Sequence, residues 1–149
     1  MDRILLIGDP HFKVGNKIQT DQLHAQVLQY LHENQIDFVV ILGDILDTHE
    51  KINMGPFCRA MEMITDISKL KKVYLLIGNH DRVNNDIFMT SEHPFVGLKN
   101  VENVVVVDKT FHQPPYLFVP YVPTGRFHEA IGDIKLKNIS SMMIISLRK

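Results

Sequence analysis

Three short apolar runs, each stopped by a glycine and followed by polar residues, constrain the fold of this chain more than any other feature. Arg3 to Ile7 ends at Gly8, Phe38 to Leu42 at Gly43, and Val73 to Ile77 at Gly78. None of the runs alternates apolar with polar, which predicts strands covered on both faces. Two helical patterns separate them. Thr20 to Glu33 places Leu23, Val27, Tyr30 and Leu31 on one face, with Thr20 as the N-cap, and Pro56 to Leu70 turns Phe57, Ala60, Met61, Ile64 and Ile67 inward. Strand, helix, strand, helix, strand predicts right-handed crossovers and a largely parallel α/β sheet.

The second half is less regular. Val104 to Val107 and Tyr116 to Val119 read as strands, with Pro114-Pro115 between them. Gly125 to Lys137 reads as a helix with Phe127, Ile131 and Ile134 inward, and Met142 to Ser146 as a last strand. The 149 residues suit a single domain, 1–149. No run reaches the ~18 apolar residues of a membrane span, and the start is too short for a signal peptide. Hydrophobic residues make up 45% and charged residues 22%, with a formal net charge of −1, so no global basic field is available for a polyanion. A lone cysteine, Cys58, excludes an internal disulfide and suits an intracellular, cytoplasmic setting.

In a parallel α/β sheet the carboxyl ends of the strands share one edge, where ligands bind. The polar residues after the three glycines are Asp9 and His11, then Asp44 and Asp47, then Asn79, His80 and Asp81. Clustered carboxylates repel one another and are costly to bury unpaired, a cost that divalent cations remove. Mixed carboxylate, imidazole and amide ligands fit Mn, Fe, Zn or Ni, with Mn preferred, better than Ca or a thiolate-selected metal.

Asp9-x-His11, Gly43-Asp44-x-x-Asp47 and Gly78-Asn79-His80-Asp81 resemble the first three signature blocks of the calcineurin-like metallophosphoesterase superfamily. The contexts IGDPHFKVGN and GDILDTHE are most similar to the branch holding DNA-repair nucleases and the phosphoesterases of phages and large DNA viruses. The resemblance implies an αββα sandwich and hydrolysis of phosphomonoesters or phosphodiesters, with DNA as one candidate substrate. It implies that Asp9 and His11 ligate a first metal, that Asp44 bridges two metals, and that Asn79 ligates the second and touches substrate phosphate. Two ions ~3.5–4 Å apart would hold a hydroxide for in-line attack. His80 would be the general acid and Asp47 its orienting partner. Asp81 is expected to be a structural hydrogen-bond partner of the loop.

Two further blocks of that family, a histidine after a later strand and a Gly-His-x-His segment, do not occur in the 149 residues; Leu147 stands where the first would fall. The expectation is therefore a C-terminally incomplete domain with roughly its second sheet missing, a weak second metal site, low or absent activity, and uncovered sheet surface that favours self-association. The alternative is a non-catalytic remnant or binding module. A Rossmann-type nucleotide binder is disfavoured because no Gly-x-Gly-x-x-Gly follows the first strand.

Of the other histidines, His49 is either a substrate-phosphate contact or a solvated loop residue. His24, His32, His93, His112 and His128 read as structural or exposed, and Met54, Met61, Met63, Met142 and Met143 as core. Lys69, Lys71 and Lys72 complement a helix dipole.

Overall fold

The computed structural model describes residues 1–132 and 142–146. Four strands, β1 (Ile4–Ile7), β2 (Phe38–Ile41), β3 (Lys72–Leu76) and β4 (Val104–Val107), form a parallel sheet in the order β1-β2-β3-β4. The register pairs Leu5 with Val39 and Val39 with Val73. The helices α1 (Lys17–Glu33) and α2 (Met54–Leu70) are the crossovers.

Alternation along β2 and β3 sorts their side chains to two faces. Val39, Ile41, Val73 and Leu75 pack with Val27 and Leu31 of α1 and with Ala60, Met63, Ile64 and Ile67 of α2. Phe38, Val40, Tyr74 and Leu76 point the other way, onto a second sheet. That sheet is made of β5 (Phe111–Gln113), β6 (Tyr116–Val119) and β7 (Met143–Ser146), in the order β5-β6-β7. β5 and β6 are antiparallel, and β6 and β7 are parallel. Tyr74 stacks on Phe118 with ring centroids 4.2 Å apart, and Phe38 meets Tyr116 edge-on at 5.2 Å, so aromatic contacts hold the sheets together. On the far side Leu117 and Val119 pack beneath the short helix α3 (Phe127–Ile131). The layers run helix, sheet, sheet, helix.

Several expectations are corrected. The second sheet is not missing: three of its strands cover the inner face of the first. Within the described strands, the large apolar residues left exposed are Leu6 of the edge strand β1 and Met143 and Ile144 of β7. Thr20 is not an N-cap. It lies one turn inside α1, where its hydroxyl donates back to the carbonyls of Asn16 and Lys17. Tyr30 is exposed, because the buried stripe of α1 is narrower than its pattern suggests and consists of Thr20, Val27 and Leu31. Met54 and Met143 are exposed, whereas Met63 is core. Strand β5 was not anticipated. Ile134 and the end of the last predicted helix fall outside the described residues. Among the described residues no helix is long and apolar enough to cross a membrane.

Candidate metal centre

The loops after β1, β2 and β3 meet at the carboxyl edge of the parallel sheet. The His11 amide donates to the Asp44 carbonyl at 3.1 Å, and the Phe12 amide to the Ile45 carbonyl at 2.7 Å. The loop after β1 is braced by Asn16, whose amide donates to the His11 carbonyl at 2.8 Å and accepts from the Lys13 amide at 2.9 Å.

The loops after β2 and β3 approach so closely that only glycine fits between them. A Cβ on Gly43, whose φ is +96°, would lie 2.7 Å from the Gly78 backbone, and one on Gly78 would overlap the backbone nitrogen and Oδ1 of Asp44. Three non-glycine residues at these tips also have left-handed backbones: Asp9 (φ 41°), His11 (45°) and Asp44 (48°). Each such conformation costs about 1–3 kcal/mol, and strain of this kind gathers where side chains must be aimed at a ligand.

Asp9, His11 and Asp44 each present a ligand atom within 4.8 Å of the others. Asp44 is fully buried, His11 partly buried and Asp9 exposed, so the cluster opens to solvent on one side. Asp44 accepts the His80 amide at 3.0 Å. In the amide orientation that satisfies both groups, the Asn79 nitrogen stands 2.9 and 3.0 Å from the two Asp44 carboxylate oxygens. His11 Nδ1 has no hydrogen-bond partner among the described residues; Asp47 Oδ1 approaches it only to 3.5 Å. Neighbouring carboxylates, a ring nitrogen without a hydrogen bond and an open side are the donor set a divalent cation requires.

His80 is met by Asp47 through the backbone and not the carboxylate. Its Nδ1 lies 2.9 Å from the backbone carbonyl of Asp47. A carbonyl only accepts, so Nδ1 carries a proton there. The Asp47 carboxylate faces His11 Nδ1 at 3.5 Å and Lys13 Nζ at 3.8 Å instead. The His80 ring meets His11 edge-on, with centroids 5.1 Å apart, and stacks on His49 at 4.6 Å. The buried carboxyl of Asp81 accepts the amides of Leu46 (2.9 Å) and Gly78 (3.0 Å), tying the loops after β2 and β3 together. Burial pushes its pKa up to about 7, with the Asp44 charge a smaller push in the same direction, while the amides oppose them.

The structure thus brings together all six of Asp9, His11, Asp44, Asp47, Asn79 and His80, with His49 against His80. No motif or spacing announced Lys13 beside Asp47. Nor did any local spacing announce His93, which is buried against Asp108 at 3.1 Å and lines a cleft next to His80.

With this geometry in hand, comparison with known proteins defines the class. The chain belongs to the calcineurin-like phosphoesterase family, whose model matches residues 2–144. It is 42% identical over 147 residues to "Putative phosphoesterase 078R" of Invertebrate iridescent virus 3, covering 95% of this chain and 42% of that protein. It is 40% identical over 136 residues to "Putative phosphoesterase 244L" of Invertebrate iridescent virus 6, covering 89% of this chain and 48% of that one. The chain therefore spans under half the length of these two relatives. The crystal structure of Pseudomonas putida nuclease MPE superposes with a TM-score of 0.52 at 22% identity, over 79% of this chain and 54% of that chain, a likeness of fold.

Proposed function

We propose that the chain hydrolyses phosphate esters with divalent metals held at the three strand tips. The observation that carries this reading is the convergence of Asp9, His11 and Asp44 within 4.8 Å, on strained backbones, beside a histidine that is not part of the ligand set. Asp9, His11 and Asp44 would hold a first ion, and Asp44 with the side-chain oxygen of Asn79 a second. Three protein ligands against two make the second site the weaker. A pair of such ions supplies Lewis-acid polarisation of the phosphoryl oxygens and lowers the pKa of water at the site. Mn suits the mixed ligand set, and Fe, Zn and Ni are the competitors.

The chain's own residues then do three things. Asp44 fixes the site through its buried carboxylate, which the amides of Asn79 and His80 orient. Asp47 holds the His80 ring through its carbonyl, keeping the proton on Nδ1 and leaving Nε2 for the substrate. In its doubly protonated form His80 would donate the Nε2 proton to the departing oxygen and keep the one on Nδ1. Asn79 and His49 border the phosphate.

A phosphodiester is the preferred substrate class, and DNA the sharper variant. Its support is the motif context and the nuclease among the fold neighbours. The test is Mn-dependent hydrolysis of a dinucleotide phosphodiester, whose alkoxide leaving group needs a proton, by the purified chain beside Asp44→Ala and His80→Ala. Activity lost in both variants supports the reading. Activity equal in all three proteins, or absent from all, rejects it. For DNA, binding that weakens steeply with salt is expected, and salt-insensitive or absent binding removes that variant.

A further inference from the structure

Asn16 stands at the start of α1, where an asparagine ordinarily turns its side chain onto the free amides of its own helix. Here it makes no such bond. Both ends of its side-chain amide reach back across the loop after β1 instead. Nδ2 donates to the His11 carbonyl at 2.8 Å, and Oδ1 accepts the Lys13 amide at 2.9 Å. The Oδ1 bond closes the short turn Val14–Asn16, and an oxygen alone would serve it. The Nδ2 bond does nothing for either helical segment.

What the Nδ2 bond holds is the peptide between His11 and Phe12. That peptide follows a residue with a left-handed backbone, φ 45°, which a non-glycine residue keeps only when its surroundings fix it. The amide end of the peptide is fixed from the neighbouring loop, where Phe12 donates to the Ile45 carbonyl at 2.7 Å. The carbonyl end is fixed by Asn16. With both ends held, ψ of His11 is set, and the imidazole leaves the chain towards Asp9 and Asp44. The ring's Nδ1 has no hydrogen-bond partner among the described residues, so its aim comes from the backbone and not from a bond at that nitrogen.

We propose that Asn16 is a positioning residue for the metal centre, acting through His11: it locks the His11–Phe12 peptide so that the imidazole stands ready beside Asp9 and Asp44. The proposal rests on the reading of those three residues as metal ligands. Loss of the brace should loosen the aim of His11 without detaching the loop. The His11 amide still donates to the Asp44 carbonyl, and the Lys13 carbonyl still accepts from Arg59 Nη2 of α2 at 2.9 Å.

The test is calorimetric titration of the metal-free chain with Mn²⁺ for the wild type, Asn16→Ala, Asn16→Ser and Thr20→Val, at a temperature where thermal unfolding shows each to be folded. Thr20→Val is the control. It removes the hydroxyl that donates to the Asn16 and Lys17 carbonyls, so it weakens the same helix start while sparing the His11 carbonyl. Both Asn16 variants are expected to bind Mn²⁺ about tenfold more weakly, the scale for a group that orients a metal ligand, and Thr20→Val to bind as the wild type does. The visible absorption of bound Co²⁺ reports the ligand set, and it should move in the Asn16 variants towards that of His11→Ala but stay unchanged in Thr20→Val. Wild-type affinity in both Asn16 variants, or an equal loss in Thr20→Val, would overturn the proposal alone. So would Asn16 variants that do not fold, because the residue would then be structural. A wild type that binds no Mn²⁺ fails one step earlier, at the metal reading itself, and the proposal falls with it.

Discussion

The two sheets lie face to face and are comparably apolar, yet they end in different ways. β1, β2 and β3 run into Gly8-Asp9, Gly43-Asp44 and Gly78-Asn79-His80, on loops strained at Asp9, His11 and Asp44. β6 runs into Pro120, Tyr121, Val122 and Pro123, which offer no carboxylate or imidazole. Its contribution at that edge is structural: the Tyr121 amide donates to the Ile77 carbonyl at 2.9 Å, and the Tyr121 carbonyl accepts from Arg82 at 3.1 Å. The second sheet buries the back of the first and braces its loops, while the first sheet carries the proposed metal ligands. Losing a residue of the first kind should cost chemistry, and losing one of the second kind should cost stability.

The largest expected effect is at Asp44. Asp44→Ala should lower Mn-dependent phosphodiester turnover by about 10³-fold or more, since it removes the carboxylate proposed to serve both ions. Phe118→Ala should do the opposite. Deleting a fully buried ring stacked between the sheets should lower stability by about 3–5 kcal/mol in urea unfolding, with turnover per folded molecule unchanged. A Phe118 variant that unfolds normally but loses turnover would break the division between the sheets. His80→Ala should lower kcat by about 10²-fold with little change in KM. The deficit should be larger for an alkyl leaving group than for 4-nitrophenolate, which departs without a proton.

The smallest effect is expected from a histidine–aspartate pair outside the metal cluster. Burial, the largest cause, lowers the pKa of His93 from its ordinary 6.5, against the pull of Asp108. Asp108 is also held below its ordinary 3.8: burial pushes it up, but hydrogen bonds from Lys99 and His93 outweigh that. Both folded-state values lie below the unfolded ones, so the stability each contributes is complete above the unfolded pKa and is lost as pH falls. Thermal unfolding should therefore show stability falling below about pH 6.5 through His93 and again below about pH 4 through Asp108. In Asp108→Asn the lower step should shrink, and a profile identical to wild type would contradict the assignment.

The parallel sheet was legible because its strands are continuous apolar runs and its tips break them with glycine and charge. The six site residues follow from that, since strand order alone carries the tips to one edge. Strand β5 was not legible: three residues, Phe111 to Gln113, end at Pro114 and carry too little pattern. Residue identity also cannot say which atom of a residue acts. Asp47 was expected to orient His80, and nothing in its identity says that the backbone carbonyl makes that contact while the carboxylate faces His11 and Lys13. The buried contacts of Arg82 with Tyr121 and of His93 with Asp108 are long-range, and no local spacing encodes them.

The most direct test of the central claim, that the strand tips form a metal site, is calorimetric titration of the metal-free chain with Mn²⁺, beside Asp44→Ala and Asp108→Ala. The account predicts saturable binding in the wild type, its loss in Asp44→Ala and its retention in folded Asp108→Ala. Binding in Asp44→Ala equal to wild type, or no binding in the folded wild type, would contradict it.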